Sequence, residues 1–406
     1  MEKATIDKLK SINWDFGNRK IVDKETIFPF NNRKYHTYPA TYIPEIPFTL
    51  IEILSNEGDL VLDPFGGIGT TLVQALIQGR EAISVDNNPI ASKVTQDFFV
   101  LFNPAVDIEK CSDCIECKLK EYVAGENYSS LLENQRKLFE GWYEESTFDE
   151  LAFLIIKYDQ IKKEKDEAVE ALFHLCLSNI LTTVSSQNGG WAYIADNVKP
   201  KEKELVNKHA IDRFYTNLVL CVKGIQEHKM LILDKSSVRR VYTKGEVSNV
   251  INSDLIQADL ETIKEKVNLV ITSPPYPRMI DYVKSQRLSF YLEDIGFEHP
   301  LQQEIGARYR RNIKGTTEKY IEDMKKCNKK IYDCLCKGGY LCYILPEFPK
   351  ETDRREAIEE VINDCYRRGF EEVFRADRCI PGTQRSNNIK WASLKKEQII
   401  VLEKCR

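Results

Sequence analysis

No Gly-Lys pair occurs anywhere in the 406 residues, so the chain cannot assemble a phosphate-cradling loop of the Gly-Lys-Ser/Thr type. No apolar run is long enough to span a bilayer. The longest, around Leu151–Ile156 and Ala171–Leu181, are far short of the roughly 20 residues a crossing needs, so no membrane association is expected. The first residues, Met-Glu-Lys-Ala-Thr-Ile-Asp-Lys, lack an apolar core behind their charges, so no signal peptide is expected and the cytoplasm is the expected compartment. Internal repeats and low-complexity tracts are absent, which excludes solenoids and fibrous arrays. A disulfide framework is also missing: most of the 12 cysteines sit singly in apolar segments, as Cys176, Cys221 and Cys342 do, which suits buried thiols in a reducing compartment. Nor is there an excess of positive charge. The net charge is −4, so any contact with nucleic acid requires a local basic surface.

What is present divides into three textures: residues 1–104, 105–245 and 246–406. Residues 34–104 alternate helix and strand. Gly58–Asp63 and Glu81–Asp86 are short apolar strands ending in an acid, separated by the turn Phe65–Gly69 and an apolar helix over Thr70–Gly79, the pattern of a parallel sheet. Residues 105–245 carry charge-rich helical periodicity over Ser129–Trp142, Thr147–Leu181 and Lys201–Gln226, interrupted by a polar loop at Ser185–Gly190, and are expected to form a helical insertion. From 246 onward the α/β texture returns. Val267–Thr272 is a buried strand running into Ser273-Pro274-Pro275-Tyr276, Gly338–Leu345 is another, and Glu371–Arg375 and Gln398–Leu402 are the expected closing strands.

A strand ending in an acid, then a glycine turn and a helix, builds a nucleotide-sized crevice at the carboxyl edge of a sheet. The dinucleotide fingerprint fails here, because after Gly67 and Gly69 the third glycine position is Leu72. With no pyrophosphate cradle, and with Asp86 placed where a ribose-binding carboxylate belongs, a phosphate-free nucleoside fits, S-adenosylmethionine among them. Taken alone, the turn is only moderately specific and also fits a tight strand–helix connection with no ligand. In the second motif, two prolines remove two backbone donors and leave carbonyls pointing outward, between a hydroxyl and an aromatic ring. That set suits a planar group bearing an amine, although it also describes a proline-capped strand end with a packed tyrosine.

The two motifs together resemble those of the amino-methylating DNA methyltransferases. Asp63-Pro64-Phe65-Gly66-Gly67-Ile68-Gly69-Thr70-Thr71 resembles the family's cofactor motif, and Thr272-Ser273-Pro274-Pro275-Tyr276 its catalytic motif. His36–Glu45, with Tyr38, Pro39 and Thr41, resembles the segment that folds over the methionine end of the cofactor, and Lys337-Gly338-Gly339 the turn before a later strand. The resemblance covers 34–104 and 246–405 and implies a Rossmann-like S-adenosylmethionine-dependent methyltransferase sheet carrying a large helical insertion. Residues 105–245 lie where some members keep their target-recognition region, but match no recognition domain.

The resemblance also implies roles. Ser273 and the Pro274 carbonyl would accept the hydrogens of an exocyclic amine, and Tyr276 would stack on a base flipped out of double-stranded DNA. Asp63, Pro64, Phe65, Gly66, Gly67, Gly69 and Thr70 would hold the methionine moiety, and Asp86 with Asn87 the ribose. An acid near the third strand, Asp254 or Asp259 with a lean to the latter, would meet the adenine. The serine form of the motif points to cytosine N4 over adenine N6. An RNA base-amine methyltransferase and a non-catalytic DNA-binding subunit are the alternatives, and a cognate restriction endonuclease is a partner the resemblance allows. Methylation at a cytosine ring carbon needs a cysteine nucleophile, usually after proline, and no Pro-Cys pair occurs.

Three weaker constellations remain. Arg308, Arg310, Arg311 and Lys314, mixed with Tyr309, suit a DNA backbone or simply a solvated loop. Cys111, Cys114 and Cys117 follow a C-x-x-C-x-x-C spacing without a nearby fourth ligand, so no metal is expected. The polar, aromatic stretch Ser185–Tyr193 would reach the substrate or cap helices, and His174 and His209 sit in helical segments as structural residues.

Overall fold

A computed structural model describes residues 2–16, 28–132, 137–187, 199–232, 249–348, 352–380 and 396–405. Seven strands form one sheet: β1 (Leu60–Asp63), β2 (Glu81–Asp86), β3 (Val250–Asn252), β4 (Val267–Thr272), β5 (Leu335–Pro346), β6 (Phe370–Cys379) and β7 (Lys396–Lys404). Their order is β3-β2-β1-β4-β5-β7-β6. Pairs from β3 through β5 are parallel, while β7 runs antiparallel to both β5 and β6. The expected α/β, Rossmann-like methyltransferase sheet is therefore present. Strand order reverses between β1 and β4, and in such sheets ligands bind outside the carboxyl ends at the reversal. Asp63 ends β1, and Ser273 follows β4 directly, so both motifs reach that place.

Side chains alternate across the sheet as the two-residue period requires. Leu269, Ile271, Cys342 and Ile344 face one layer; Leu62, Val85, Val270, Leu341 and Tyr343 face the other. The first layer begins with α1 (Lys3–Ser11), α2 (Glu45–Leu54), α3 (Thr70–Ile77) and α4 (Pro89–Leu101). Every residue of α3 is buried, and its polar members Thr70, Thr71 and Gln74 are hydrogen-bonded. Four further helices continue this layer: α5 (Ile108–Leu119), α6 (Glu145–Glu164), α7 (Glu167–Val184) and α8 (Ala210–Ile232). Their buried residues belong to the same continuous core as the sheet face, so this helical region shares its core with the sheet. After the short helices α9 (Arg287–Leu292) and α10 (Glu298–Gln303), α11 (Thr316–Cys334) and α12 (Asp353–Arg368) cover the opposite face.

Several expected boundaries shift for identifiable reasons. The periodicity across Thr147–Leu181 is broken at Lys165, which is left-handed (φ +59°), and Asp166 restarts the chain by accepting the Ala168 and Val169 N–H groups as the cap of α7. Of the helix expected over Ser129–Trp142, the described residues form a 3₁₀ turn at Tyr128–Leu131 and helix at 137–139, with 133–136 outside them, and the helix expected from Lys201 begins at Ala210. Strand β5 starts at Leu335, because the glycine turn at Gly338 (φ +79°) is absorbed as an irregularity in its pairing with β4. His174 is fully buried, with Nδ1 on the Asp97 carboxylate, and burial pushes its imidazole down to about 3; His209 is exposed ahead of α8. Cys111, Cys114 and Cys117 ride on α5 as buried, half-buried and exposed thiols. Ser185, Ser186 and Gln187 are buried, and the rest of the polar stretch to Tyr193 lies outside the described residues. Among the described residues no helix is long and apolar enough to cross a membrane.

Candidate active site

A cleft opens at the carboxyl ends of β1, β2 and β4. Its walls come from four places in the sequence: the 38–42 segment, the glycine turn, the ends of β2 and β3, and the chain from Ser273 to Ile305.

The glycine turn is shaped by close packing on both sides. A Cβ on Gly66 would lie 1.8 Å from Ser84 Oγ on β2, and one on Gly69 (φ +76°) would lie 2.8 Å from Thr95 Cγ2 on α4. Gly69 is thus required by the turn and by helix packing, and does not itself line the cleft, whereas Pro64, Phe65, Gly66, Gly67, Ile68 and Thr70 do.

Asp63 was expected to face the ligand, but it braces the turn from beneath. It is 2% exposed, and its carboxylate accepts from Tyr42 Oη (3.0 Å), Thr71 Oγ1 (2.6 Å) and the Phe65 N–H (3.1 Å). Burial raises its carboxyl above the ordinary range, against the pull of these donors. Asp86 lines the cleft. One oxygen accepts the Gly67 N–H and the other the Asn88 N–H, each at 2.8 Å, so this acid locks the glycine turn to the β2 end. Burial lifts it to about 6. Asn87 lines the cleft beside it.

On the facing wall stand Tyr38, Pro39 and Thr41. Tyr38 Oη accepts from Asn88 Nδ2 (3.2 Å), Thr41 Oγ1 donates to the Tyr38 carbonyl (3.1 Å), and the Tyr38 ring stacks on Tyr282 at 6.0 Å between centroids. Of the two acids considered for the third strand, Asp254 lines the cleft. Asp259, toward which the spacing leaned, is exposed and caps its own turn by accepting the Glu261 N–H. The reason is the brevity of β3, which ends at Asn252 and leaves Asp254 at its rim.

The catalytic-type motif leaves β4 with Ser273 and Pro275 in the cleft wall. Ser273 Oγ donates to Tyr276 Oη at 3.0 Å, so the serine proton is directed to the tyrosine and its lone pairs stay available. Tyr276 is 4% exposed and does not line the cleft. Tyr320 Oη donates to the Pro275 carbonyl (3.0 Å), while among the described residues no group donates to the buried Pro274 carbonyl.

These features find counterparts elsewhere. A family model described as DNA methylase matches residues 5–97, which include the glycine turn and Asp86. The type II methyltransferase M.MvaI of Kocuria varians is 25% identical over 342 residues, covering 79% of this chain and 69% of its own. The type II methyltransferase M.MjaII of Methanocaldococcus jannaschii is 20% identical over 388 residues, 77% of this chain and 71% of its own. The family model and these relatives support an amino-methylating DNA methyltransferase family. M.BsoBI of Geobacillus stearothermophilus, another type II methyltransferase, is 24% identical over 285 residues, 67% of this chain and 54% of its own.

In this DNA methyltransferase, residues outside the recognisable motifs complete the cleft. Tyr42 and Thr71 hold Asp63, Asn88 holds Tyr38, and Tyr282, Gln303, Glu304 and Ile305 form the far wall. The basic run Arg308–Lys314 lies just beyond. Arg310 is spent internally, with Nη2 donating to the Gln302 carbonyl (2.6 Å) and Nε to Tyr309 Oη (2.8 Å). Arg308 is half-buried, and Arg311 and Lys314 are exposed.

Proposed function

We propose that this methyltransferase transfers a methyl group from S-adenosylmethionine to the N4 amine of cytosine in double-stranded DNA. The chemistry of the lining supports the donor: among the described residues no lysine or arginine lines the cleft, whereas Asp86 and Asp254 do. An acidic, phosphate-free cleft suits a nucleoside that carries a sulfonium and an ammonium and disfavours a pyrophosphate. Asp86 and Asn87 would hold the ribose, Asp254 the adenine amine, and Tyr38 with Pro39 and Thr41 would cover the methionine end. When bound, the donor supplies an electrophilic methyl on sulfur.

The residues around Ser273 would prepare the amine. Its lone pair is delocalised into the ring, and two acceptors on its hydrogens favour a pyramidal nitrogen with that pair localised. Ser273 and the Pro274 carbonyl are the acceptors. The observation that carries this reading is the Ser273–Tyr276 hydrogen bond, which turns the serine from an ambivalent hydroxyl into an acceptor toward the cleft. A base inside a duplex cannot reach such a cleft, so it must leave the stack. Catalysis then rests on positioning and electrostatics. Cytosine is preferred on the serine form of the motif, and the test is nucleoside mass spectrometry of treated duplex DNA. N4-methylcytosine is expected; N6-methyladenine alone would overturn the base, 5-methylcytosine the chemistry, and methylation of RNA only the substrate class.

For the DNA footprint, Arg311 and Lys314 are the exposed cations of the basic run. Reversing both charges should weaken binding to all duplex sequences alike and reduce the salt slope by about two phosphate contacts. An unchanged slope in a fluorescence-anisotropy titration would move the footprint to the helical layer of residues 105–245, the proposed target-recognition region. A cytoplasmic setting beside a restriction endonuclease of matching specificity completes the reading.

A further inference from the structure

Glu304 is a buried acid that no motif accounts for. It is 4% exposed and lines the same cleft as Ser273 and Pro275. Its Oε1 accepts the Tyr282 N–H at 2.7 Å, whereas Oε2 is buried with no partner among the described residues. A buried polar atom left unpaired is costly unless a ligand completes it. The segment carrying Glu304 is strapped to the catalytic turn. The Arg278 N–H donates to the Gly306 carbonyl at 2.7 Å, two residues past Tyr276, and a Cβ on Gly306 would lie 3.0 Å from the Tyr320 ring and 3.4 Å from Pro277 Cα. Tyr320 in turn holds the Pro275 carbonyl. Glu304 is thus tied to the segment that follows the catalytic turn and, through Tyr282, to the wall on which Tyr38 stacks.

We propose that Glu304 is a specificity-determining residue whose carboxyl donates a hydrogen bond from Oε2 to the ring nitrogen beside the target amine. The inference rests on the amine-methylation reading and extends it to the choice of base. Ser273 and the Pro274 carbonyl can only accept from the amine, yet the edge of cytosine or adenine presents an amine donor next to a ring-nitrogen acceptor. A complementary site needs one donor beside its acceptors, and a neutral carboxyl provides it. Thymine and guanine carry a carbonyl and a ring N–H at the corresponding positions, the reverse pattern, and are rejected at both.

The electrostatics around Glu304 keep it protonated at neutral pH. Burial pushes its carboxyl up to about 8, Asp281 adds to the rise, and the Tyr282 and Val283 N–H groups and Arg310 oppose it. Tyr38, Tyr42, Tyr282, Asp86 and Asp254 are the other titratable groups in the cleft wall among the described residues. The neutral acid is the donor below about pH 8, and the carboxylate above it faces the ring nitrogen with a lone pair against a lone pair.

The test compares wild type, Glu304→Gln and Glu304→Ala in single-turnover methylation of duplex DNA from neutral to alkaline pH, with cofactor affinity measured separately by calorimetry. Wild-type turnover should fall as pH rises through about 8. Gln keeps an N–H donor that does not titrate, so Glu304→Gln should stay within a few-fold of wild type and lose that fall, while Glu304→Ala should be slowed about tenfold. A target cytosine analogue with C–H in place of the ring nitrogen should slow wild type about tenfold and leave Glu304→Ala unaffected. Cofactor affinity should be the same in all three proteins. An alkaline fall that persists in Glu304→Gln, or an equal penalty from the analogue in wild type and Glu304→Ala, would overturn the proposal. A loss of cofactor affinity in Glu304→Gln would overturn it in favour of contact with the cofactor's ammonium. Wild type that binds the cofactor but methylates no base amine would instead overturn the underlying reading.

Discussion

Replacing Ser273 by alanine should lower methyl transfer about 10- to 100-fold while leaving cofactor affinity unchanged. The magnitude follows from removing one acceptor, worth about 1.5–3 kcal/mol, from a nitrogen that gains positive charge in the transition state. The separation of the two effects follows from position. Ser273 leaves β4 on one side of the cleft, whereas Asp86 and the glycine turn occupy the other strand ends. Tyr276→Phe provides the internal control. It removes only the partner that orients the serine proton, so Ser273 can still accept and turnover should drop no more than a few-fold. If Ser273→Ala turned over like wild type, the acceptor role would belong elsewhere in the wall.

Asp86→Ala should weaken S-adenosylmethionine binding about 100-fold in calorimetry. The change removes the proposed ribose acceptor and strips the Gly67 and Asn88 N–H groups of their shared partner. Charge-assisted hydrogen bonds contribute about 1.5–3 kcal/mol each, so losing the equivalent of one or two accounts for that factor. The pH dependence has a definite sign. Because burial holds Asp86 at about 6, it is ionised and purely an acceptor above that pH, and affinity should decline as pH falls through about 6. Asp86→Asn should bind more weakly and show no such decline. Affinity unchanged in both variants would remove Asp86 from the cofactor side.

The parts of this site that were legible in the sequence are those in which chemistry and backbone shape share a few consecutive residues. The run from Asp63 to Thr71 and the Ser-Pro-Pro-Tyr turn each combine a strand end, a forced turn and a functional group, so local rules describe them. The helical texture of residues 105–245 was equally plain from its period. Where long-range packing decides, the sequence was mute. Glu304 lies about thirty residues past the catalytic turn in a stretch without pattern, and long-range hydrogen bonds such as Arg278–Gly306 and Tyr282–Glu304 bring it back beside the segment that follows that turn. Asp63 read as a ligand-facing acid, because nothing local showed that Tyr42 and Thr71 would enclose its carboxylate. Asp259 was favoured over Asp254 by counting residues, a measure blind to how early a three-residue strand stops. The basic run read as a uniform patch, but the carbonyls at the end of α10 claim Arg310.

The central claim is that the methyl group arrives on an exocyclic amine held against Ser273. Duplex DNA labelled with ¹⁵N at the cytosine amine, treated with the enzyme and S-adenosylmethionine carrying a ¹³C methyl, reports the bond formed. The expected result is a one-bond ¹³C–¹⁵N coupling in the digested nucleosides, reduced in rate of appearance about 10- to 100-fold by Ser273→Ala. A methyl signal on a ring carbon or ring nitrogen, with no coupling to the labelled amine, would contradict it.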